Sequence, residues 1–410
     1  MRILILDVNY GNSSTGKLVV GLEKGLKQFG NEVLVCYGRS TGEDAAGGVK
    51  IAYEIEVITH AFLTRLTGYT GCFSPVATRK LLEILDQFRP DIVHLHELHG
   101  YYINITEVIG YLKTKRIPTV WTFHCEFMYT GKCGYSLDCD QWKTECTHCP
   151  LLHDYPGSWC FDNVSVMHKW KKQAFLDFKR LTIVTPSIWL ADRVKQSFVG
   201  TKNISVIYNG IDTKEIFFPR ETSNLKKRHN IKSKYIVISV APDLMSERKG
   251  GRWVLEIAKR FENEDVTFVM IGVDNPSEID RKNIIVMPRV SDQSELAAYY
   301  SLGNVLLLTS LKETFSLVCA ESLACGTPVI GFDSGAPSEV APEHYGCFLP
   351  YGDLNGLQIM LCKIINGEPV MESREQCAYF ARSNFDKEIM IQKYNDIYKS
   401  MLNQFGPPIY

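Results

Sequence analysis

At 410 residues the chain is too long for one ordinary core, so two domains are expected. Hydrophobic residues make up 45% and charged residues 22%, the balance of a soluble globular protein, and a formal net charge of −1 argues against a dedicated nucleic-acid binder. No apolar run reaches the length of a membrane span, Met1–Asp7 is too short for a signal peptide, and the thirteen cysteines are expected to be mostly reduced thiols in the cytoplasm.

Arg2–Leu6 reads as the first strand, and a helical pattern through Leu18, Leu22 and Leu26 follows the loop Asp7–Lys17. Gly11-x4-Gly16-Lys17 approaches the phosphate-cradling loop of nucleoside triphosphatases, but Leu18 stands where that loop needs a hydroxyl for Mg²⁺, so that reading is set aside. Glu32–Cys36 reads as a second strand, followed by a long irregular stretch from Tyr37 to about Ser74. Asp91–Leu95 is another strand, leading into His96-Glu97-Leu98-His99. Three histidines there (His94, His96, His99) raise a metal site, but a polar loop lining a cleft is the preferred reading. Pro118–Thr122 is the next strand and ends in Phe123-His124. Met167–Leu181 reads as a basic helix with Lys169, Lys171, Lys172, Lys179 and Arg180 beside Trp170, Phe175 and Phe178. An ordinary surface helix is the first reading, contact with an anionic membrane surface the second. Thr182–Thr185 and Ile204–Tyr208 read as the last strands of the first domain, closed by the turn Asn209-Gly210-Ile211-Asp212.

A charged, irregular segment, Phe218–Lys234, precedes a second alternation of strands and helices. Strands are expected at Tyr235–Val240, Val266–Ile271 and Ile284–Met287, with helices at Trp253–Phe261 and Ser294–Tyr300. Val305–Leu308 then feeds a loop carrying Lys312, Glu313 and Thr314, an apolar helix Leu317–Ala324 stopped by Cys325-Gly326, and a strand Thr327–Gly331. Such a unit implies a parallel sheet, whose ligands sit at the carboxyl ends of the strands. Glu313 lies in that loop, Glu321 sits one turn into the helix on the same side, and the N–H groups around Phe315–Val318 open the helix, where they can hold a phosphate. Two carboxylates beside an anion site suit a ligand with hydroxyls as well as phosphate, and a nucleotide sugar has both. The tail Asp386–Leu402 reads as a helix, ended by Gly406-Pro407-Pro408.

The spacing Glu313-x7-Glu321, followed by Gly326-Thr327-Pro328-Val329-Ile330, resembles the donor-binding signature of family 4 retaining glycosyltransferases of GT-B architecture. The resemblance covers nearly the whole chain. It implies an α/β fold of two Rossmann-like domains facing across a cleft: 1–208 on the acceptor side and 209–384 binding the nucleotide sugar, with 385–410 packing back on the first domain through a crossing C-terminal helix. Tyr208–Asp212 resembles the crossing point between domains, and Pro118–His124 the strand that delivers a cleft histidine to the sugar. By this resemblance Gly16 lies near the donor phosphates and the acceptor. Lys249 matches the family's diphosphate lysine, and Arg248 stands in for an arginine whose usual position is held by Pro242. Thr314, Phe315, Ser316 and Leu317 line the donor, Glu321 holds the ribose, and Glu313 holds the sugar hydroxyls. His124 and Glu313 are the expected catalytic residues.

The implied reaction retains the anomeric configuration and needs no metal or other cofactor for catalysis. Lys249, Arg248 and the helix N-terminus meet the charge that develops on the leaving diphosphate, which itself takes the acceptor proton. The expected donor is a UDP-sugar ahead of a GDP-sugar. The runs Ser13–Lys17, His96–Asn104 and Thr130–Pro150 resemble bacterial capsule and exopolysaccharide glycosyltransferases. That implies a lipid-linked saccharide acceptor and a cytoplasmic protein in peripheral contact with an anionic inner membrane face. Two other classes share the fold: a non-hydrolysing sugar-nucleotide epimerase and a catalytically silent binding protein.

Cys133-x5-Cys139-x6-Cys146-x2-Cys149 places four thiols in one loop that looks poor in core of its own. A structural zinc on four thiolates would order it and hold Phe127, Tyr129 and Trp142 near the acceptor. Two disulfides and four free thiols are the alternatives.

Overall fold

The computed structural model of the protein describes residues 1–39, 47–279 and 281–410. The chain forms two compact units, Met1–Tyr208 joined by Met390–Tyr410, and Asn209–Ile389.

In the first unit seven parallel strands form one sheet: Arg2–Asn9 (β1), Glu32–Arg39 (β2), Val49–Lys50 (β3), Ile92–Leu95 (β4), Thr119–Thr122 (β5), Leu181–Thr185 (β6) and Asn203–Val206 (β7), in the order β3-β2-β1-β4-β5-β6-β7. Successive side chains of β1 enter opposite cores. Leu4 and Leu6 join Leu81, Leu95 and Trp121, while Ile3 and Ile5 join Val19, Leu22 and Leu26 of the helix Ser14–Gln28. The C-terminal helix Lys387–Phe405 adds Ile391, Tyr394 and Tyr398 to the second of these. A sheet buried on both faces reads in sequence as continuous apolar runs, which is why β1 was legible. His94 of β4 is fully buried between partners, its Nε2 2.8 Å from Thr122 Oγ1 and its Nδ1 2.6 Å from the Tyr398 hydroxyl. It ties the last helix to the sheet.

The second unit has six parallel strands, Tyr235–Val240 (β8), Val266–Ile271 (β9), Ile284–Met287 (β10), Val305–Leu308 (β11), Val329–Phe332 (β12) and Gly346–Leu349 (β13), in the order β10-β9-β8-β11-β12-β13. In each sheet the strand order reverses once, between β1 and β4 and between β8 and β11. The loops leaving the carboxyl ends of such a pair diverge to opposite faces and leave a crevice, the usual ligand position in open α/β sheets.

Four segments differ from the sequence reading. The stretch read as irregular after Tyr37 contains the rest of β2, the short strand β3 and a helix, Glu54–Thr67; residues 40–46 lie outside the described residues. That helix escapes the usual pattern because its apolar residues lie on both sides, Val57 against the core and Ile55, Ile58, Phe62 and Leu66 toward solvent. The basic helix spans Val164–Phe175, not Met167–Leu181: Asp177 adopts a left-handed φ of 57°, and Leu181 begins β6. The segment Phe218–Lys234 holds a short helix, Ser223–Arg228. The return to the first unit begins at 390 rather than 385. Phe385 packs edge-on against Phe315 and Phe380, Ile211 N–H donates to Phe385 O at 2.8 Å, and Lys387 pairs with Asp212, so these residues stay with the second unit.

Candidate functional site

The second unit's reversal point brings together two loops. The loop after β8 ends in Arg248-Lys249-Gly250 and enters the helix Gly251–Arg260. Gly250 has a φ of 71°, and a Cβ there would sit 2.3 Å from Thr309 O, so only glycine lets this loop press against the end of β11. Thr309 Oγ1 donates to Lys249 O at 3.0 Å, fixing the register of the two loops. From that position Lys249 Nζ reaches Glu313 Oε1 at 2.5 Å, with side chains only 14% and 12% exposed. Burial works to raise the Glu313 carboxyl, but the Lys249 ammonium outweighs it and holds the group below the usual carboxylate range, with Arg248 adding to the effect.

Three residues on, Ser316 caps the helix Leu317–Ala324 with a φ of 81°, a left-handed conformation that a serine seldom adopts. Its hydroxyl accepts from Cys319 N–H at 3.4 Å. The N–H groups of Leu317 and Val318 belong to the same first turn, where an α-helix offers donors to an anion. Thr314 and Phe315 are buried, and Leu317 is half-buried. Half-buried Glu321, one turn on, accepts from the Tyr300 hydroxyl at 2.8 Å. Thr327 Oγ1 donates to Tyr300 O at 2.7 Å and to Gly303 O at 3.1 Å. The Gly326-Thr327-Pro328 run is therefore a support for Tyr300, and through it for Glu321.

In the first unit Gly16 sits in the first turn of Ser14–Gln28, where its N–H donates to the capping Ser13 hydroxyl at 3.0 Å. A Cβ on Gly16 would meet Gly11 N at 3.0 Å and Asn9 O at 3.2 Å, so the loop closes tightly over it. At the carboxyl ends of β4 and β5, His96 Nδ1 lies 3.0 Å from His124 Nε2, and the two rings stack. Burial pulls both imidazoles below their ordinary range, so the pair is neutral and each ring's tautomer depends on the other. Asp7 is fully buried and accepts from Glu97 N–H at 3.0 Å; burial, then the charge of Glu97, pushes its carboxyl up to about 7. Glu97 Oε2 pairs with His99 Nε2 at 2.6 Å, and Cys125 Sγ lies 3.4 Å from each. Burial opposes both charges, but the partners outweigh it: Glu97 is held at about 2 and His99 well above its ordinary value. Both neighbours address the same ring nitrogen, whereas a nucleophilic relay uses one nitrogen for the base step and the other for its orienting carboxylate. The histidines are thus not the three-histidine metal set considered from sequence. His94 is structural, His96 supports His124, and His99 is paired with Glu97.

The thiols of the four loop cysteines interact with one another, but among the described residues no three of these sulfurs all lie within 4.8 Å of one another. Cys133 and Cys149 thiols hydrogen-bond to each other, which raises the first and lowers the second to about 7, while Cys146 Sγ accepts from Gly131 N–H at 3.3 Å. Among the described residues, the group of three potential metal ligands within 4.8 Å of one another is Glu97, His99 and Cys125, not a set of these sulfurs. None of the thirteen cysteines is in a disulfide. The loop has a core after all: Phe127, Tyr129 and Trp142 are buried within the first unit's main cluster. Fully buried Glu126 takes Arg193 Nε at 2.6 Å, Ser136 N–H at 2.6 Å and the Tyr129 hydroxyl at 2.8 Å. Lys132 donates to Leu151 O and Asp154 O, and Lys171 to Phe127 O and Thr130 O. Burial lowers Lys171 to about 7.

Tyr300, His96, Glu97 and Cys125 were not singled out as site residues from sequence. The first is a tertiary partner with no local signal. His96 had one: it and His124 both lie just past the ends of neighbouring parallel strands.

Two parallel α/β units, each with its polar residues at the order reversal, define the GT-B architecture of nucleotide-sugar-dependent glycosyltransferases. Residues 15–215 match Glycosyltransferase Family 4 and residues 235–366 match Glycosyl transferases group 1, so the chain belongs to glycosyltransferase family 4. It is 24% identical over 327 residues to the Escherichia coli (strain K12) glycosyl transferase WcaC, whose name assigns it to colanic acid biosynthesis; the match covers 76% of this chain and 77% of that one. Its fold resembles a sucrose-phosphate synthase from Thermosynechococcus elongatus (TM-score 0.68, 16% identity, 98% of this chain and 100% of that one). It also resembles Anabaena HepE, solved in complex with UDP and glucose (TM-score 0.64, 14% identity, 98% and 100%).

Proposed function

We propose that the protein transfers a sugar, with retention, from a nucleotide diphosphate sugar to a hydroxyl of a lipid-linked saccharide in capsule or exopolysaccharide synthesis. The observation that carries this reading is the Lys249–Glu313 pair beside the N-terminus of the helix Leu317–Ala324, with Glu321 one turn on. A diphosphate entering there meets the N–H groups of Leu317 and Val318 and the positive charges of Lys249 and Arg248, which stabilise the leaving group as its charge grows. Glu321, steadied by Tyr300, accepts the ribose hydroxyls. Glu313, kept ionised by Lys249, accepts those of the transferred sugar. His124, oriented by His96, contributes a neutral imidazole to the sugar, and Gly16 lets the loop Asn9–Ser13 fold tightly at the place expected to face the donor phosphates and acceptor. The leaving phosphate takes the acceptor proton, so catalysis needs no metal. UDP stands ahead of GDP because a protein of the same fold was solved with UDP and glucose, and the polysaccharide context follows the relative named for colanic acid biosynthesis.

The test is to incubate the protein with UDP- and GDP-sugars, with and without a lipid-linked saccharide. A glycosylated lipid whose new linkage keeps the donor's anomeric configuration by NMR is the expected product. Epimerised donor without acceptor moves the assignment to an epimerase, and nucleotide binding without turnover to a silent binder.

A further inference from the structure

The helix Glu54–Thr67 packs Val57 on the core but turns four large apolar residues to solvent. Ile55, Ile58, Phe62 and Leu66 are 72, 64, 50 and 39% exposed, whereas its buried positions are His60 and Thr64. Steps of three, four and four residues line those four side chains into one stripe. The stripe continues past the helix. Trp159 N–H donates to Arg65 O at 2.7 Å, its ring meets Phe62 edge-on at 5.9 Å, and Trp159 and Phe161 are both largely exposed. Beyond them Trp170 stacks on Tyr69 at 5.2 Å, and both line an open groove of about 640 Å³ together with Phe73, Ile109, Ala174 and Lys113. Lys169 and Lys172 flank Trp170 on the helix Val164–Phe175, which contains no acidic residue. Met167, Lys171 and Phe175 of that helix are buried, so its exposed edge is Lys169, Trp170, Lys172 and Gln173.

We infer that this stripe and groove are a docking surface for an anionic lipid bilayer. The helix Glu54–Thr67 lies in the plane of the interface with Ile55, Ile58, Phe62 and Leu66 among the acyl chains. Trp159 and Trp170 sit at headgroup depth, where an amphipathic indole is stable, and exposed Lys172 faces anionic headgroups together with Lys169, which pairs with exposed Glu145 at 2.7 Å in the free protein and exchanges that carboxylate for a lipid phosphate. Lys113 at the groove donates to Leu176 O at 2.6 Å. The groove takes a single lipid chain. An apolar stripe this continuous is rare on a free soluble surface. A second copy of the chain is the alternative occupant; exposed Lys172 beside the stripe suits anionic headgroups rather than another apolar face. The inference deepens the lipid-linked acceptor reading, since docking would hold the enzyme where such an acceptor lies, but lipid binding itself needs neither donor nor acceptor.

The experiment is co-sedimentation of the intact protein with vesicles of phosphatidylglycerol and phosphatidylcholine in equal parts, against phosphatidylcholine alone. The wild type is expected to bind the anionic vesicles, with Trp159 and Trp170 fluorescence quenched by lipids brominated on the acyl chain. I58E/F62E should lower partitioning about tenfold or more with an unchanged circular dichroism spectrum, since both positions are exposed. K169Q/K172Q should weaken binding chiefly at low salt. Equal binding of I58E/F62E and wild type, no binding to anionic vesicles at low salt, or absence of quenching overturns the inference. So does a wild-type dimer in solution that I58E/F62E converts to monomer, which would assign the stripe to a second copy. Vesicle binding by a protein that glycosylates no lipid-linked saccharide would leave the docking surface standing and remove the proposed acceptor alone.

Discussion

Lys249 and Glu313 share a hydrogen-bonded ion pair 2.5 Å long, with both side chains largely out of solvent. The pair joins the loops that leave the carboxyl ends of β8 and β11. Removing one partner strands the other charge in a poorly solvated place, whereas removing both does not. Lys249→Met is therefore expected to cost about 3 kcal/mol of stability, and K249M/E313Q to recover most of it. Urea denaturation checks this; equal midpoints for the single and double variants would refute it. Glu313 also has a pH signature. Its folded pKa lies below the unfolded value, so its contribution is complete above the unfolded pKa and is lost as the pH falls through the folded one. The acid limb of the stability profile should be flatter in Glu313→Gln than in the wild type.

The Tyr300–Glu321 hydrogen bond makes a graded prediction for nucleotide binding. Glu321→Ala removes a charged acceptor and should weaken UDP binding by roughly 1.5–3 kcal/mol, while Tyr300→Phe removes only its orienting partner and should cost about 1 kcal/mol. Titration calorimetry with free UDP reads both. Unchanged affinity in Glu321→Ala would take the ribose away from this residue.

His124 is expected to act on the sugar and not on the nucleotide. His124→Ala should lower kcat/KM strongly and leave UDP affinity near wild type. His96→Phe keeps His124 but removes the partner that sets its tautomer, so it should lower kcat/KM by a smaller factor, on the order of tenfold. A His124→Ala enzyme with near wild-type turnover, or one that no longer binds UDP, would contradict this division of labour.

What the sequence made legible follows from which contacts are local. Strands β8, β9, β10 and β11 run Tyr235–Val240, Val266–Ile271, Ile284–Met287 and Val305–Leu308, as read from the sequence, because apolar residues run through them without interruption. The helix Leu317–Ala324 was legible for the same reason, bounded by Cys325-Gly326. The helix Glu54–Thr67 was hidden because apolar residues fall on both of its sides, Ile55, Ile58, Phe62 and Leu66 exposed and Val57, Ala61 and Leu63 half-buried, so no single apolar face marks it in the sequence. Lys249 and Glu313 were each visible through family resemblance, yet their pairing was not, since it depends on how two loops 64 residues apart converge at the strand-order reversal. The cysteine loop misled in the opposite sense. Its Gly, Asp and Thr suggested no core, while Phe127, Tyr129, Trp142 and the buried charges of Glu126, Lys132 and Lys171 supply one.

That loop gives the last prediction. Its order is carried by the Glu126–Arg193–Ser136–Tyr129 network and by two buried lysines that bind five backbone carbonyls, those of residues 127, 130, 151, 152 and 154. We propose that this network, and not a zinc on Cys133, Cys139, Cys146 and Cys149, orders the loop, so chelator treatment should leave its resistance to protease unchanged. Cys146→Ser with Cys149→Ser should do the same. Arg193→Met leaves the Glu126 carboxylate buried without its cation and should cost about 3 kcal/mol and open the loop to cleavage. Arg193→Met with Glu126→Gln should restore part of that loss. Stoichiometric zinc in protein purified without chelator, released together with loop order when Cys146 and Cys149 are replaced, would show instead that the thiolates close around a metal in solution and that the polar network alone does not hold the segment.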